Sequence, residues 1–273
     1  MTTEDTRGPL AVDVAVVGSG GAGLAAALEA RRAGASVALL EKADALGGAT
    51  ILSGGGCLIA GSPLQEKQGI TDTPELAYED WVKWGGGEAD EAWARFYIEH
   101  SLQELYSWLE QLGVKWTTLL PQEGNRVLRW HRPARIGLEI TEVLVRSLED
   151  PGVRILPSTR VLRLLRRDGR VCGLEASRNG ETLEIRCKTL VLATGGFASN
   201  MEMVLEQRPD LQGSRILLGG GRGATGEGHV LARALGAKFT HMDQLWFYAY
   251  ATPDYRDPRG ERGMVFRLRA DYL

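Results

Sequence analysis

The apolar and polar positions of the first forty residues predict a strand, a turn, a helix and a second strand. Val12 to Val17 form a short valine-rich run, which is typical of a strand buried on both faces. Residues 24–32 are rich in Ala and Leu and predict a helix that packs on a sheet, and Gly34 is expected to end it. Residues 36–40 are apolar again and predict the second strand. This segment is therefore one β-α-β unit of about 30 residues.

Helical spacing dominates the middle of the chain. Thr73 and Pro74 are the N-cap and first-turn residues expected at the start of one helix. Residues 88–112 carry aromatic and Leu side chains near helical spacing, which indicates a second helix that ends at Gly113. Residues 140–148 predict a third helix. These segments together predict a helical insertion.

After residue 153 the apolar pattern changes to a period of two. We predict three consecutive strands over residues 154–167, 170–177 and 181–193. The two-residue turns Asp168-Gly169 and Asn179-Gly180 separate them, and such turns are the strongest short signal for a hairpin. The fold class that follows is α/β: a Rossmann-type fold with a central parallel sheet, an antiparallel β-meander and a helical insertion.

A glycine motif joins the first strand to the first helix. The residues Gly18-Ser19-Gly20-Gly21-Ala22-Gly23 satisfy G-x-G-x-x-G in the strand–helix context that makes this motif specific. Gly18 permits a tight turn, Gly20 lets the backbone approach a pyrophosphate, and Gly23 lets the helix touch the strand. The helix N-terminus adds N–H groups and a positive dipole end for the anion. The motif predicts a dinucleotide-binding site.

Glu41 follows the second strand, 18 residues past Gly23. A carboxylate at this place accepts hydrogen bonds from the ribose 2′- and 3′-hydroxyls and repels a 2′-phosphate, so NADP is disfavoured. The β-α-β unit does not decide between NAD and FAD. An NAD-dependent dehydrogenase therefore stays an alternative.

Three later segments favour FAD, because an extended FAD needs several close approaches of the backbone. The first is the glycine-rich loop predicted over residues 44–62, which includes Gly47-Gly48-Ala49-Thr50 and Ser53-Gly54-Gly55-Gly56. The second is Ala193-Thr194-Gly195-Gly196, at the end of the last strand. The third is Thr225-Gly226-Glu227-Gly228, which opens a helix predicted to run to Leu235.

The sequence resembles the fumarate reductase/succinate dehydrogenase flavoprotein family, which also contains 3-ketosteroid dehydrogenases and urocanate-type reductases. The resemblance rests on VDVAVVGSGGAGLAAALEARRAGASVALLEKADALGGATILSGGG, LVLATGGFASN and GATGEGHVLARALGAKF. It covers about residues 11–245 and is specific for the cofactor but poor at naming a substrate. By resemblance the following residues contact FAD: Gly18, Ser19, Gly20, Ala22, Gly23, Glu41, Lys42, Gly48, Ala49, Thr50, Ser53, Gly54, Gly55, Val161, Ala193, Thr194, Gly195 and Glu227.

Two positions qualify this resemblance. Glu227 stands where the family usually has Asp in T-G-D-G. Members in membrane complexes attach FAD through a His in the glycine-rich loop, and the matching position here is about Ala49. The resemblance therefore implies a non-covalent FAD.

The resemblance implies a hydride transfer between flavin N5 and a C=C or CH–CH bond of an organic acid or ketone, which could be steroid-like. It divides the chain into an FAD-binding domain over residues 11–240, which lacks a C-terminal return segment, and the truncated start of a capping domain over residues 241–273. Tyr248 and Arg267 are the candidate catalytic residues, and plain aromatic packing is the alternative for Tyr248. A fragment that binds FAD without turnover is the alternative function.

Composition narrows the partners. A net charge of −3 argues against nucleic acid, and Arg160, Arg163, Arg166 and Arg167 are interpreted as a solvated strand face. Three cysteines without CxxC spacing predict neither disulfides nor a metal site, and a cytoplasmic location is expected. No apolar run predicts a membrane span. The expected partners are a small-molecule substrate and an unidentified electron donor or acceptor.

Overall fold

The computed structural model describes residues 9–247 and 252–264, and these form two compact units. The first unit combines the residues up to Ala49 with those from Pro151 onward, and the second is Thr50–Asp150. The strands are β1 Leu10–Val17, β2 Val37–Leu40, β3 Cys57–Leu58, β4 Trp116–Leu120, β5 Trp130–Pro133, β6 Val153–Leu156, β7 Thr159–Arg167, β8 Arg170–Arg178, β9 Glu181–Leu192, β10 Thr252–Pro253 and β11 Gly263–Met264. The α-helices are α1 Gly21–Arg32, α2 Pro63–Lys67, α3 Pro74–Trp84, α4 Glu91–His100, α5 Trp108–Leu112, α6 Ile136–Ser147, α7 Met201–Gln207 and α8 Glu227–Arg233.

A six-stranded sheet in the order β6-β2-β1-β9-β8-β7 forms the first unit. Strands β6, β2, β1 and β9 are parallel, whereas β9, β8 and β7 are antiparallel neighbours. The long strand β9 makes this possible, since its first half pairs with β8 and its second half with β1. The buried faces pack Ala, Val, Leu and Ile side chains of β1, β2, β8 and β9 into one core. The predicted parallel sheet and meander are confirmed, and they share one sheet.

The predicted strand over residues 154–167 is wrong, because two strands occupy this segment. Strand β6 pairs in parallel with β2, and β7 then pairs with β8 in the antiparallel direction. Pro157 separates them, and Ser158 adopts a φ of 52° that redirects the chain. The two turns at Asp168-Gly169 and Asn179-Gly180 agree with the prediction, since all four residues have positive φ angles as a type I′ turn requires.

The second unit contains the helical insertion and a sheet that the sequence pattern did not predict. Helix α3 begins as expected, with the Thr73 hydroxyl accepting a hydrogen bond from the Leu76 N–H at 3.1 Å. Residues 101–107 form a π-helical segment between α4 and α5, so the predicted helix over residues 88–112 is interrupted. Helix α6 starts at Ile136, earlier than predicted. Strands β3, β5 and β4 form an antiparallel sheet, and β3 lies inside the segment predicted as a loop.

A buried ion network holds the second unit together around Arg129. Its guanidinium has no exposed surface and donates to Asp72 at 2.7 and 2.9 Å and to Asp80 at 2.9 Å. Arg126 also donates to Asp80, but its side chain is 53% exposed. The buried network ties the segment before α3, helix α3 itself and the residues before β5 to one another.

His131 lies beside this network and is fully buried. Its Nδ1 is 2.8 Å from the carbonyl oxygen of Arg129, and because a carbonyl oxygen can only accept, Nδ1 carries a proton. Nε2 lies 2.5 Å from the Ser62 hydroxyl, which can donate to it, and that hydroxyl in turn accepts from the Gln65 N–H. The ring is packed edge-on against Tyr106 and Trp116. His131 therefore has a structural role, and its buried ring is not accessible to a substrate in this conformation.

Replacing Arg129 with Met should destabilise the protein by about 3–5 kcal/mol, because it leaves the buried carboxylate of Asp72 without a cation and that of Asp80 with only the half-exposed Arg126. Urea denaturation followed by tryptophan fluorescence measures this. Arg126→Met is the matched control and should cost no more than about 1 kcal/mol, because the Arg126 side chain is largely exposed and Asp80 keeps its pair with Arg129. Equal losses in the two variants would contradict the assignment of Arg129 as the central cation.

The stability of the second unit should also depend on His131. Burial lowers the pKa of His131 below its ordinary value. The unfolded chain therefore takes up this proton first as the pH falls, so the stabilisation is complete above about pH 6.5 and is lost below it. His131→Gln should make the urea midpoint less dependent on pH over that range, and a variant whose midpoint depends on pH as the wild type's does would contradict this role of His131.

Candidate functional site

The glycine motif of residues 18–23 lies at a strand–helix junction in the first unit. Gly18 follows β1 with a φ of +98°, and an added Cβ there would lie 2.4 Å from the carbonyl oxygen of Ala193. An added Cβ at Gly23 would lie 1.8 Å from the carbonyl oxygen of Gly18. Such distances are far shorter than van der Waals contact, so neither position accommodates a side chain. The glycines let β1, α1 and the end of β9 approach one another closely.

The N-terminus of α1 faces this turn without a competing side chain. Gly20 is the N-cap residue, no side chain caps the helix, and no acidic residue lies in its first turn. The loop after β2 packs on the same turn: the Gly47 N–H donates to the Ser19 carbonyl oxygen at 3.1 Å, and Gly48 lies against Gly20. The chemistry of these groups fits an anion such as a diphosphate.

Glu41 ties the motif to the end of β2. Its Oε2 accepts hydrogen bonds from the Ser19 N–H at 3.0 Å and from the Ser19 hydroxyl at 2.6 Å. Its Oε1 accepts one from the Ala43 N–H at 2.9 Å. Glu41 is only 8% exposed, and Ser19 is fully buried. The carboxylate therefore fixes the conformation of the loop through hydrogen bonds within the protein itself.

The second and third glycine-rich motifs also meet in the first unit. The Ala193 N–H donates to the Val17 carbonyl oxygen at 2.8 Å, which places Ala193 and Thr194 directly after the sheet. An added Cβ at Gly228 would lie 1.8 Å from the Thr194 hydroxyl oxygen. The Gly226 N–H donates to the Gly196 carbonyl oxygen at 3.2 Å. The start of α8 is thus seated on the segment that follows β9.

Lys42 and Glu227 contact each other in the same unit. The Lys42 ammonium lies 3.1 Å from Glu227 Oε2 and 2.6 Å from the Thr225 hydroxyl. Arg160 binds the other oxygen of Glu227. Val161 follows Arg160 in β7 and pairs with Ala176.

The remaining predicted cofactor residues, Thr50, Ser53, Gly54 and Gly55, belong to the second unit. Thr50 begins a short 3₁₀ turn, and the Ser53 hydroxyl accepts from the Gly55 N–H at 3.1 Å. Helix α6 starts against this loop, with the Gly137 N–H donating to the Ser53 carbonyl oxygen at 3.2 Å. An added Cβ at Gly137 would lie 2.0 Å from the Thr50 carbonyl oxygen. Gly137 was not among the predicted site residues, because this helix was expected to begin only at Ile140; a glycine inside a helix often marks such a close contact.

The candidate catalytic residues Tyr248 and Arg267 lie outside the described residues. Burial raises the pKa of the Cys57 thiol to about 11, so Cys57 is not poised as a nucleophile. Among the residues that the structure describes, no three His, Cys, Asp or Glu side chains are grouped to hold a metal ion. Within the same residues, no helix combines the length and the apolar character that crossing a bilayer requires.

Residues 13–269 match the FAD binding domain family, and the chain belongs to this family. Its cofactor is FAD. The predicted fold class is confirmed by the likeness to a solved flavocytochrome c3 fumarate reductase in its open conformation, with a TM-score of 0.83 and 32% identity. That match covers 95% of this chain and 45% of the other.

Two further relatives differ in the activities that their names give. The NADH:fumarate oxidoreductase of Klebsiella pneumoniae is 35% identical over 241 residues, which cover 87% of this chain and 26% of the relative. The solved 3-ketosteroid-delta4-(5alpha)-dehydrogenase of Rhodococcus jostii, in complex with 4-androstene-3,17-dione, is 33% identical with a TM-score of 0.78, covering 89% of this chain and 57% of the other. The chain thus spans between about a quarter and somewhat over half the length of these relatives.

Replacing Gly23 with Ala should abolish FAD retention and destabilise the protein, because the new Cβ collides with the backbone of Gly18. Flavin content after purification and the thermal midpoint measure the two effects. Gly219→Ala is the matched control, since its added Cβ meets no atom within 4 Å and its φ is not positive. A Gly23→Ala protein that retains FAD as the wild type does would contradict the close contact of α1 with the phosphate loop.

Proposed function

We propose that this chain is the FAD-binding part of a flavin-dependent oxidoreductase that acts on CH–CH groups. The proposal rests on the Gly18–Gly23 turn at the N-terminus of α1. Glu41 fixes this turn by accepting hydrogen bonds from the N–H and the hydroxyl of Ser19. A helix end without a side-chain cap and backbone N–H groups at a glycine turn are suited to a diphosphate, which an FAD molecule carries at its centre.

The residues that would hold FAD are those assigned from the sequence. Gly18, Ser19, Gly20, Ala22 and Gly23 would bind the diphosphate, and Lys42, Gly48 and Ala49 would border it. Val161 would contact the adenine, and Ala193, Thr194, Gly195 and Glu227 would close the pocket. Thr50, Ser53, Gly54 and Gly55 would line the flavin. Ala49 offers no imidazole for a covalent bond to the flavin, so FAD would be held non-covalently.

The hydrogen bonds of Glu41 within the protein limit how many ribose hydroxyls its carboxylate can bind. A carboxylate has about four acceptor positions, and the Ser19 and Ala43 donors already use three of them. We therefore expect Oε1 to accept from one ribose hydroxyl rather than from two. A ribose 2′-phosphate at this place would face the same carboxylate and be repelled.

The substrate class is proposed from the relatives. One relative is named for fumarate and another was solved with a steroid ketone, and both compounds contain a C=C bond conjugated with a carbonyl group. When bound, the flavin supplies hydride exchange between N5 and one carbon of such a bond. A protein acid or base must handle the proton on the neighbouring carbon. Tyr248 and Arg267 remain the candidates in this chain, and residues 241–273 remain the proposed start of a capping domain after the FAD-binding domain of residues 11–240.

The test is to purify the chain, reconstitute it with FAD, and record its absorption spectrum before and after reduction. We expect a yellow protein whose flavin is released by acid precipitation. The reduced flavin should be reoxidised under anaerobic conditions by fumarate or by an unsaturated ring ketone. A saturated analogue, such as succinate, is the matched control and should not reoxidise it.

Each result has a distinct consequence. A flavin that binds but is not reoxidised by any C=C acceptor would favour the alternative, an FAD-binding fragment without turnover. Flavin that stays in the acid pellet would contradict non-covalent binding. A colourless protein that NAD stabilises and FAD does not would overturn the proposal in favour of an NAD-dependent dehydrogenase.

A further inference from the structure

A cluster of ionic side chains joins three separate segments of the first unit. Glu227, at the start of α8, accepts from Lys42 on one carboxylate oxygen and from Arg160 on the other. Lys42 also donates to the Thr225 hydroxyl at 2.6 Å. We call Lys42, Arg160, Thr225 and Glu227 the ionic clamp. Lys42 follows β2, Arg160 lies in the outer strand β7, and Thr225 and Glu227 lie at the start of α8.

The position of the ionic clamp in the sequence relates it to one half of the proposed cofactor. Lys42 directly follows Glu41, the residue proposed to bind the ribose. Arg160 directly precedes Val161, the residue proposed to contact the adenine. Thr225 and Glu227 flank Gly226, whose N–H binds the segment after β9. All three segments therefore belong to the part of the site that the adenosine and the diphosphate would occupy.

We propose that Glu227 is a positioning residue that fastens these three segments around the adenosine half of FAD. One of its carboxylate oxygens binds Lys42, which follows β2, and the other binds Arg160 of β7, so a single side chain connects both segments to the start of α8. This inference rests on the proposed function, since it assumes that FAD occupies the Gly18–Gly23 site.

Two substitutions separate the effect of the charge of Glu227 from the effect of its side-chain length. The clamp carries two positive charges and one negative charge, so removing the carboxylate makes it more positive. If Glu227 acted only through electrostatics, Glu227→Gln would strengthen the binding of the anionic diphosphate. If it acts by joining the segments, the same change weakens binding. Glu227→Asp keeps the charge but shortens the side chain by one methylene, and it should not reach both cations.

The experiment measures the dissociation constants of FAD and of ADP by calorimetry, using the apoprotein of the whole chain. ADP carries the adenosine and diphosphate without the flavin. We expect Glu227→Gln, Glu227→Asp and Arg160→Gln each to weaken both ligands about three- to tenfold, the effect of losing one or two partly exposed ion pairs. The Glu227→Gln/Arg160→Gln double variant should lose less than the product of the two single effects, because the pair acts as one contact.

Arg163→Gln is the matched control. Arg163 lies in β7, as Arg160 does, but it forms an ion pair with Glu175 of β8 and takes no part in the clamp. It should bind FAD and ADP as the wild type does. Circular dichroism and thermal midpoints establish that the variants are folded, and Arg160→Gln, which removes an exposed side chain, tests the clamp even if Glu227 variants fold poorly. Unchanged or tighter binding in the Arg160 and Glu227 variants would overturn the inference, whereas failure of the wild-type protein to bind FAD would refute the proposed function instead.

Discussion

The site depends on one constraint: the backbone of three segments must come closer together than any side chain permits. Gly18 touches the end of β9, and Gly23 touches Gly18, at distances where even a methyl group cannot be placed. Glu41 then fixes the intervening Ser19 through its N–H and its hydroxyl. The loop after β2 packs on this turn through Gly47, and the start of α8 packs on the segment after β9 that Gly18 also touches.

A second feature is that the unit's anion site and its ionic clamp use different chemistry. The turn and the helix end offer backbone N–H groups, which bind an anion without a formal charge. The clamp instead uses charged side chains, which connect the loop after β2 and strand β7 to the start of α8. In the proposed site the backbone groups would bind the diphosphate, and the charged side chains would hold the surrounding segments in place.

Much of this fold followed from local patterns in the sequence. Strand β1, the glycine turn and α1 were predictable because a buried strand, a motif and a helix cap all agree over residues 10–34. The two type I′ turns were predictable because Asp-Gly and Asn-Gly tolerate positive φ angles. The division of residues 154–167 was missed, because alternation alone does not distinguish a strand that changes partner at Pro157 from one that continues.

The parts of the second unit that were not predicted depend on backbone geometry or long-range contacts that leave no local pattern in the sequence. Strands β3 and β5 are short, and β5 contains His131, which is buried only because Ser62 and the Arg129 carbonyl group satisfy its ring. The π-helical segment of residues 101–107 adds residues to a turn and shifts the apolar stripe around the helix axis. The near-helical spacing of the apolar residues therefore predicted one continuous helix. The burial of Arg129 depends on Asp72 and Asp80, which lie about fifty residues away in the chain. Such long-range pairs leave no local signal.

We propose that FAD is held at the Gly18–Gly23 turn. Hydrogen–deuterium exchange of the whole chain with and without FAD tests this binding site, because it reports on backbone N–H groups at identified peptides. We expect FAD to slow exchange in peptides covering residues 18–24, 41–49 and 193–196, and to leave peptides of the β7–β8 turn unchanged. Bound FAD that leaves exchange at residues 18–24 unaltered would contradict this proposal.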